Sequence, residues 1–296
     1  MKSKVYFTKS ITPEGVLSLY ERLVEERGAE LPTPVAVKLH SGEPGNQNFL
    51  APDMYKPTVE RVDGTAVECN TAYEGGRNTT AKHIKTLKKH GFSDAFKTEI
   101  LDAEGPDLVL EIEGGASIKK NFVGRGIEKY NSILVISHFK GHPSGGFGGA
   151  LKQLSIGLAS SYGKAYIHGV GVPEDFWNSD HDSFLSSMAD AAKSVVDKFS
   201  GRLAFINVMK NMSVDCDCCA KAEDPCISDI GVLASLDPVA IDRACLDLVY
   251  ASKDEGRDHL IERIESRNGV YTVVCAEKLG IGTTDYELVN IDGEKK

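Results

Sequence analysis

The sequence lacks the features that mark several broad classes of protein. No uncharged apolar run approaches the ~20 residues that a membrane-spanning helix needs. The opening stretch MKSKVYFTKS has no apolar h-region, which predicts that there is no secretory signal. There is also no internal repeat, no low-complexity tract and no Pro/Ser-rich linker between two halves. We therefore predict one elaborated domain over residues 1–296, located in the cytoplasm.

Positive charge is also in short supply. The chain has 34 Lys and Arg residues against 43 Asp and Glu residues, which gives a net charge of -9. Binding to nucleic acid or to an anionic membrane surface needs a basic face that displaces counterions. The composition therefore predicts no nucleic acid and no membrane as the main partner. It still allows a local basic pocket for a small anionic molecule.

Aromatic residues are scarce, whereas glycine is plentiful. Aromatic residues make up 7% of the chain, with Trp177 the single Trp, and there are 29 glycines. Hydrophobic residues make up 41% and charged residues 26%, values typical of a globular protein with an apolar core. Because glycine permits positive φ and close approach of a ligand, we expect glycine-rich loops at the functional site.

Strand and helix patterns alternate along the chain. Strands are predicted at 4–8, 34–39, 65–69, 132–139, 203–208, 229–235 and the final YELVNI, and a hairpin at 108–112 and beyond Gly114. Helices are predicted from Pro13 to Gly28, from Thr79 to His90, from Ala150, at 182–199, from Pro238, and up to about residue 280. This order predicts an α/β fold, in which a largely parallel or mixed sheet is flanked by helices and carries a small antiparallel excursion.

Three polar loops each follow the C-terminal end of a predicted strand, the edge at which ligands bind in open α/β sheets. In the first, VKLHSGEPGN, Lys38 and His40 are two residues apart and would lie on one face of the strand. Gly42 and Gly45 follow and favour a tight loop against a ligand. The alternative is an ordinary strand end whose Lys and His are hydrated.

The second loop, SHFKGHPSGGFGGALKQ, combines histidines, lysines and glycines. Its candidate residues are His138, Lys140, His142, Gly145, Gly146, Gly148, Gly149 and Lys152. Backbone N–H groups of such a loop, at the start of a helix, form a natural anion site. The loop matches neither a Walker A motif nor a Rossmann fingerprint. The alternatives are a turn without a ligand and structural histidines.

The third loop contains most of the cysteines. Of seven cysteines, four lie in VDCDCCAKAEDPC: Cys216, Cys218, Cys219 and Cys226. An odd, clustered set indicates metal or redox chemistry rather than a disulfide framework. The spacing matches neither a zinc ribbon nor a bacterial ferredoxin. Asp215 and Asp217 are expected to raise the thiol pKa values, so thiolates here would need a cation. A metal or cluster is favoured over a vicinal redox dithiol or reduced bystander thiols.

Two further stretches carry polar side chains. ECNTAYEGGRN supplies Glu68, Asn70, Tyr73 and Arg77, of which Asn70 and Arg77 are candidates for binding an anionic substrate. A hydrated loop explains this stretch equally well. SDHD at 179–182 could supply metal ligands, but the pattern favours the capped start of the next helix.

Several stretches together resemble one family, the domain of unknown function 362 (DUF362), whose members are often labelled uncharacterised iron-sulfur centre proteins. They are VKLHSGEPGN, ECNTAYEGGRN, SHFKGHPSGGFGGALKQLSIG, VDCDCC with DIGVLASLDPVAIDRA, and EKLGIGTTDYELV. The resemblance runs from about residue 4 to 292, and it implies no settled reaction.

The chain departs from the family pattern at one feature. Many members carry a ferredoxin-like insert with two CxxCxxCxxxCP runs, after the segment equivalent to Ala165–His168, where this sequence has no cysteine. Two ferredoxin clusters are therefore not expected. The matching CDC element implies a family-wide site at Cys216 and Cys218, whereas Cys219 and Cys226 are additional. The family commonly has Asp and Thr at the positions of Glu68 and Cys69.

These observations lead to one main hypothesis of function, a redox-linked protein that binds an iron-sulfur cluster or a single iron or zinc ion. Its predicted metal ligands are Cys216, Cys218, Cys219 and Cys226. The predicted catalytic residues are Lys38, His40, His138, Lys140 and His142, with Lys152 and the loop glycines binding the anion.

Two alternatives remain open at this point, and with them the question of whether the protein is an enzyme. One is a non-enzymatic metal or cluster carrier or electron-transfer module, with a separate ferredoxin as a possible partner. The other is a cofactor-free hydrolase or transferase that uses the glycine-rich loop for a phosphate.

Overall fold

Strands and helices alternate through the whole structure, a computed structural model that describes residues 2–293. The strands are β1 (Ser3–Thr8), β2 (Val35–Lys38), β3 (Thr65–Glu68), β4 (Thr98–Ile100), β5 (Leu108–Glu111), β6 (Lys120–Val123), β7 (Ser132–His138), β8 (Lys140–His142), β9 (Gly146–Gly148), β10 (Leu203–Met209), β11 (Gly231–Ser235) and β12 (Tyr286–Asn290). The α-helices are α1 (Pro13–Arg27), α2 (Lys56–Arg61), α3 (Thr80–Lys89), α4 (Phe92–Ala95), α5 (Ala150–Leu154), α6 (Ser161–His168), α7 (His181–Lys198), α8 (Pro238–Ala251), α9 (Arg257–Ser266) and α10 (Val270–Lys278). Between residues 2 and 293, no helix combines the length and the apolar character needed to cross a membrane.

The main sheet has eight strands in the order β12-β1-β11-β10-β7-β2-β3-β4. Strand β11 runs antiparallel to both of its neighbours, and all the other neighbouring pairs are parallel. Strands β5 and β6 form a separate antiparallel pair, as do β8 and β9. The predicted fold class, with its small antiparallel excursion, is confirmed.

Side chains alternate between the two faces of the sheet, and each face has its own layer of helices. On one face, Ile133 and Val135 of β7 pack in a core with α5 and α7 to α10. On the other face, Leu134 and Ile136 pack in a core with α1 to α4. Because β7 is buried on both faces, it is a continuous apolar run rather than an alternating one, which is typical of a central parallel strand.

Local signals set the helix ends. Thr12 accepts a hydrogen bond from the Gly15 N–H, Pro13 occupies the first turn of α1, and Gly28 ends the helix with a φ of 68°. Asp180 caps α7, so the SDHD stretch starts a helix as the sequence favoured. No sequence signal had indicated α2, α6 or β4, because each is short and only partly periodic.

The topology brings four loops to one edge of the sheet. Since β3, β2, β7 and β10 are adjacent and parallel, their C-terminal ends lie side by side. Backbone hydrogen bonds join the loops that follow them. The Gly141 N–H donates to Ser213 O at 2.8 Å, and the Glu43 N–H donates to Asp217 O at 2.8 Å. Residues 210–230, called the cysteine loop below, are therefore anchored to two neighbouring loops.

Replacing Gly141 by Ala tests this anchoring. A Cβ at Gly141 would lie 2.4 Å from Val214 O and 2.6 Å from Val214 C, both backbone atoms of the cysteine loop. We expect Gly141→Ala to lower the free energy of unfolding by about 1–3 kcal/mol, the usual cost of overpacking. Urea unfolding of the variant and of the wild type measures this loss of unfolding free energy. Gly148→Ala is the matched control, because its Cβ would lie 3.6 Å from the nearest side-chain atom. Equal midpoints for the two variants would contradict the prediction.

Candidate functional site

A cavity of about 450 Å³ lies among the four loops at this edge of the sheet. Sites for small molecules commonly have a volume of ~300–1,000 Å³. Side chains from all four loops and from α5 and α6 form its wall. They are Lys38, His40, Glu68, Cys69, Thr71, Ala72, Tyr73, Glu74, Arg77, His138, Lys140, His142, Pro143, Ser144, Gly148, Gly149, Lys152, Gln153, Ile156, Gly157, Lys164, His168, Phe176, Trp177, Cys216, Cys218 and Cys219.

One part of the wall offers ligands for a metal. One ligand atom each from His142, Cys216 and Cys218 lies within 4.8 Å of the other two. We call these three residues the thiol–imidazole cluster. Its sulfur and nitrogen donors suit zinc, iron or another soft metal and are unsuited to Mg²⁺ or Ca²⁺. All seven cysteines are free thiols in the part of the chain described.

Backbone contacts define the tautomer of His142. Its Nδ1 accepts hydrogen bonds from the N–H groups of Ser144 at 3.1 Å and Gly145 at 2.8 Å. The proton of the neutral ring is therefore on Nε2, which lies 3.9 Å from Cys218 Sγ. Burial, with the charge of Lys152 adding to it, lowers the pKa of His142 to about 4. The two thiols would bind a soft metal as thiolates, and ligation by Nε2 likewise requires the ring to lose its proton.

The three neighbouring thiols share hydrogen bonds. The bond with Cys218, together with burial, raises the pKa of the Cys216 thiol to about 11. The bond from Cys218 lowers the pKa of Cys219, the more exposed of the three. Cys219 is therefore the most acidic thiol of the group.

Two aspartates of the cysteine loop, Asp215 and Asp217, form ion pairs that the sequence did not indicate. Asp217 pairs with Lys140, and Asp215 pairs with Arg263. The sequence could not reveal these partners, because both cations lie far away along the chain. Asp215 raises the pKa of Cys219, as expected, although the hydrogen bond from Cys218 outweighs this effect. The expected effect of Asp217 on the thiols stays a prediction.

Asp217 lies at the centre of a buried group of charges. Lys140 Nζ donates to Asp217 Oδ2 at 2.8 Å, and His138 Nδ1 lies 3.0 Å from both carboxylate oxygens. His138 Nε2 lies 2.5 Å from the carbonyl oxygen of Lys210, so both ring nitrogens of His138 face hydrogen-bond acceptors. Burial alone would raise the pKa of Asp217, but the charges of His138 and Lys140 outweigh it and hold the pKa well below its usual range.

A second polar group lies where β2 and β3 end, and we call Lys38, Glu68, Arg77 and Lys164 the guanidinium end of the cavity. Arg77 Nε donates to Glu43 Oε2 at 2.9 Å, and its Nη1 lies 3.5 Å from Glu68 Oε2. Nη1 also lies 3.3 Å from His40 Nε2. Arg77 Nη2 is buried and has no hydrogen-bond partner within residues 2–293. An unpaired buried donor of this kind is costly unless a ligand satisfies it.

Two buried lysines belong to the same end. Lys38 Nζ donates to the carbonyl of Leu39, and burial lowers its pKa to about 8. Lys164 Nζ donates to Ala159 O at 2.6 Å, and burial lowers its pKa as well. The sequence singled out Lys38 but missed Lys164, because α6 carried no recognised signal.

Four of the predicted site residues lie outside the cavity wall. Asn70 bonds Thr80 and His83, and Cys226 Sγ donates to Met212 O. Gly145 donates to His142, and Gly146 packs closely against Gly269. The other predicted residues line the cavity: Lys38, His40, Arg77, His138, Lys140, His142, Gly148, Gly149, Lys152, Cys216, Cys218 and Cys219. Their roles stay predictions.

The start of α5, predicted to bind an anion, has an internal partner. The buried carboxylate of Asp242 accepts hydrogen bonds from the N–H groups of Ala150 at 2.7 Å and Leu151 at 2.9 Å. Asp242 lies on α8, and no spacing pattern links it to the glycine-rich loop. Gly149 allows this approach, because a Cβ there would lie 2.3 Å from Asp242 Oδ1.

Fold and site together define an α/β protein with a charged cavity and a thiol–imidazole cluster, and comparison with known proteins gives the family. The model of the domain of unknown function DUF362 matches residues 35–247, so the chain belongs to this family, as its motifs suggested. No curated protein matches the chain.

Two solved structures are similar to this chain at low identity. One is a structural-genomics crystal structure from Thermotoga maritima, with 15% identity, a TM-score of 0.45, and coverage of 90% of this chain and 59% of that chain. The other is the lactate racemase apoprotein from Thermoanaerobacterium thermosaccharolyticum, with 13% identity, a TM-score of 0.38, and coverage of 69% and 50%. The chain thus spans 59% of the length of the first and 50% of the length of the second.

Removing the charge of Asp217 should be costly. Asp217→Asn leaves Lys140 buried without its carboxylate, and loss of one partner of a buried pair typically costs about 3–5 kcal/mol. Asp215→Asn is the matched control in the same loop, since its pair with Arg263 is partly exposed and should contribute about 1 kcal/mol or less. Urea unfolding at neutral pH compares the two, and equal losses would contradict the central role of Asp217.

The contribution of Asp217 should also depend on pH. Because its folded pKa is depressed, the stability it provides is present above its unfolded pKa of ~3.9 and is lost as the pH falls towards the folded pKa. We expect the stability difference between wild type and Asp217→Asn to be constant above about pH 5 and to shrink below about pH 4. A series of urea midpoints against pH measures it, and a difference that grows in acid would refute the assignment.

Proposed function

We propose that the protein binds a soft metal ion or an iron-sulfur cluster through Cys216 and Cys218, and that this metal centre takes part in redox-linked chemistry on a small anion in the same cavity. The observation that carries the proposal is the thiol–imidazole cluster in the cavity wall. Thiolates are the usual ligands of iron-sulfur clusters and of structural zinc. When bound, such a group would supply electron transfer or Lewis-acid polarisation.

The charges near the thiols support a metal-loaded state. The hydrogen bond with Cys218 and burial raise the pKa of Cys216 to about 11, and the charges of Lys140 and Lys152 offset part of this rise in favour of the thiolate. Cys219 is adjacent, lines the cavity and is the most acidic of the thiols, so it is a candidate for a third sulfur ligand. His142 would contribute Nε2 only after giving up the proton that the amides of Ser144 and Gly145 keep there.

The remaining wall supports an anionic ligand. Basic side chains outnumber acidic ones in it: Lys38, Arg77, Lys140, Lys152 and Lys164 against Glu68 and Glu74. Asp217 already neutralises Lys140, and Lys152 forms no ion pair among the described residues. Lys152 is therefore available to bind the anion, and Ile156 and Trp177 add apolar surface to the same cavity wall.

One surface feature favours the electron-transfer module as a second candidate. Trp177 is 73% exposed at the mouth of the cavity and stacks edge-on against Phe176, whose ring lies 4.4 Å from that of His168. An exposed aromatic residue that lines the same cavity as the cluster suits a transient partner such as a separate ferredoxin. The hydrolase or transferase alternative has less support, because Asp242 already occupies the amides at the start of α5.

Metal analysis of protein purified without oxygen tests the proposal. We expect bound iron with sulfide and a broad visible absorbance, or one equivalent of a soft metal ion such as zinc. The double variant Cys216→Ser/Cys218→Ser should lose the metal, because hydroxyl groups are poor ligands for a soft metal. Its far-ultraviolet circular dichroism should stay close to that of wild type.

Cys226→Ser is the matched control for this experiment. Cys226 belongs to the same loop but lies outside the cavity wall and bonds Met212 O, so its loss should leave metal content unchanged. Wild-type protein that is colourless and free of metal, or full metal retention in the double variant, would exclude the proposed site.

A further inference from the structure

The guanidinium end holds a buried amine, Lys38, to which the metal proposal assigns no covalent chemistry. Lys38 is 1% exposed, lies at the C-terminal end of β2 and lines the cavity. Its Nζ donates to a backbone carbonyl and forms no ion pair with a carboxylate among the described residues. Gly157 leaves room for the side chain, since a Cβ there would lie 2.8 Å from Lys38 Cε. Lys38 therefore presents to the cavity an amine that still has unused hydrogen-bonding capacity.

Arg77 provides a binding group for an oxyanion in the same cavity as this amine. Its side chain is 3% exposed, and Nη2 is its one nitrogen without a partner within the described chain. Glu43 and Glu68 already face the guanidinium, so little positive charge remains in excess. A monoanionic carboxylate suits this balance better than a phosphate dianion, which would meet the charge of Glu68.

We propose that Lys38 forms a Schiff base with a small 2-oxo acid, whose carboxylate is bound by Arg77 Nη2. An amine and a guanidinium in one cavity match the two functional groups of such a compound, a carbonyl and a carboxylate. The cavity, with a volume of about 450 Å³, accommodates an acid of a few carbons.

The reaction is a condensation without oxidation or reduction. The lone pair of the neutral Lys38 amine forms a bond to the carbonyl carbon of the oxo acid. The C–O bond then breaks, and the oxygen leaves as water with the two protons of the amine. The product is an imine between Nζ and the former carbonyl carbon.

The electrostatic surroundings support this role. Burial lowers the pKa of Lys38 to about 8, with Lys164 and Arg77 acting in the same direction and Glu68 and Cys69 opposing them. Near pH 8 about half of Lys38 therefore carries the lone pair that addition needs, whereas an exposed lysine with a pKa of ~10.4 is almost wholly protonated.

Reductive trapping tests the proposal on the full-length protein. The protein is incubated with pyruvate near pH 8, reduced with borohydride, digested and mapped by mass spectrometry. We expect one reduced adduct concentrated on Lys38. It should disappear in Lys38→Arg, which keeps the charge but lacks a primary amine, and persist in Lys129→Arg, an exposed control.

Propanal, which lacks the carboxylate, separates the role of Arg77 from that of Lys38. Arg77→Gln should reduce trapping of pyruvate on Lys38 by about tenfold or more, the usual effect of losing a hydrogen bond to a charged group, and change trapping of propanal far less. Wild-type adducts spread over exposed lysines, without enrichment on Lys38, would overturn the proposal. Trapping on Lys38 that does not respond to Arg77→Gln would overturn the assignment of a 2-oxo acid.

The metal proposal and this one fail separately. Trapping should persist in the variant Cys216→Ser/Cys218→Ser, because the guanidinium end shares no residue with the thiol–imidazole cluster. Loss of metal with retained trapping therefore supports both proposals. Loss of trapping in that variant, with its fold intact, would overturn the independence of the amine site.

Discussion

A single buried carboxylate, Asp217, holds the cysteine loop against the rest of the site. It is surrounded by Lys140 and His138, which belong to β8 and β7, and its own backbone oxygen accepts a hydrogen bond from Glu43 in the loop after β2. Three of the four loops at the sheet edge thus meet at one residue. Because Asp217 lies between Cys216 and Cys218, the position of both thiols follows from this ion pair rather than from the thiols themselves.

Burying so many charges is costly, and the structure offsets the cost by pairing most of them. Asp217 has Lys140, and Glu43 and Glu68 face Arg77. Within the described residues, Arg77 Nη2 is left without a hydrogen-bond partner, and Arg77 lines the cavity. An unpaired buried donor on such a residue calls for an explanation, and the anionic ligand proposed above provides one.

The sequence predicted the layout of the fold and twelve of the residues that line the cavity, because both depend on local patterns. Apolar runs gave the strands, and the rule that ligands bind at strand ends placed His40, His142 and Cys216 in one pocket. What escaped prediction depends on contacts between distant parts of the chain. The partner of Asp217, the capping of α5 by Asp242 and the presence of Lys164 have no signature in residue spacing.

Tyr73 lies in the cavity wall that both ends share. Burial raises its pKa, and the charges of Cys218 and Cys216 raise it further while that of Arg77 lowers it, so the phenol stays protonated. His40 lies in the same wall with its Nε2 3.3 Å from Arg77 Nη1, and burial, with the charge of Arg77 adding to it, holds the pKa of His40 well below its usual range. Tyr73 and His40 are therefore neutral polar groups in a wall that also contains the thiols and the guanidinium. Four loops can build one such wall because parallel strands bring them to one edge.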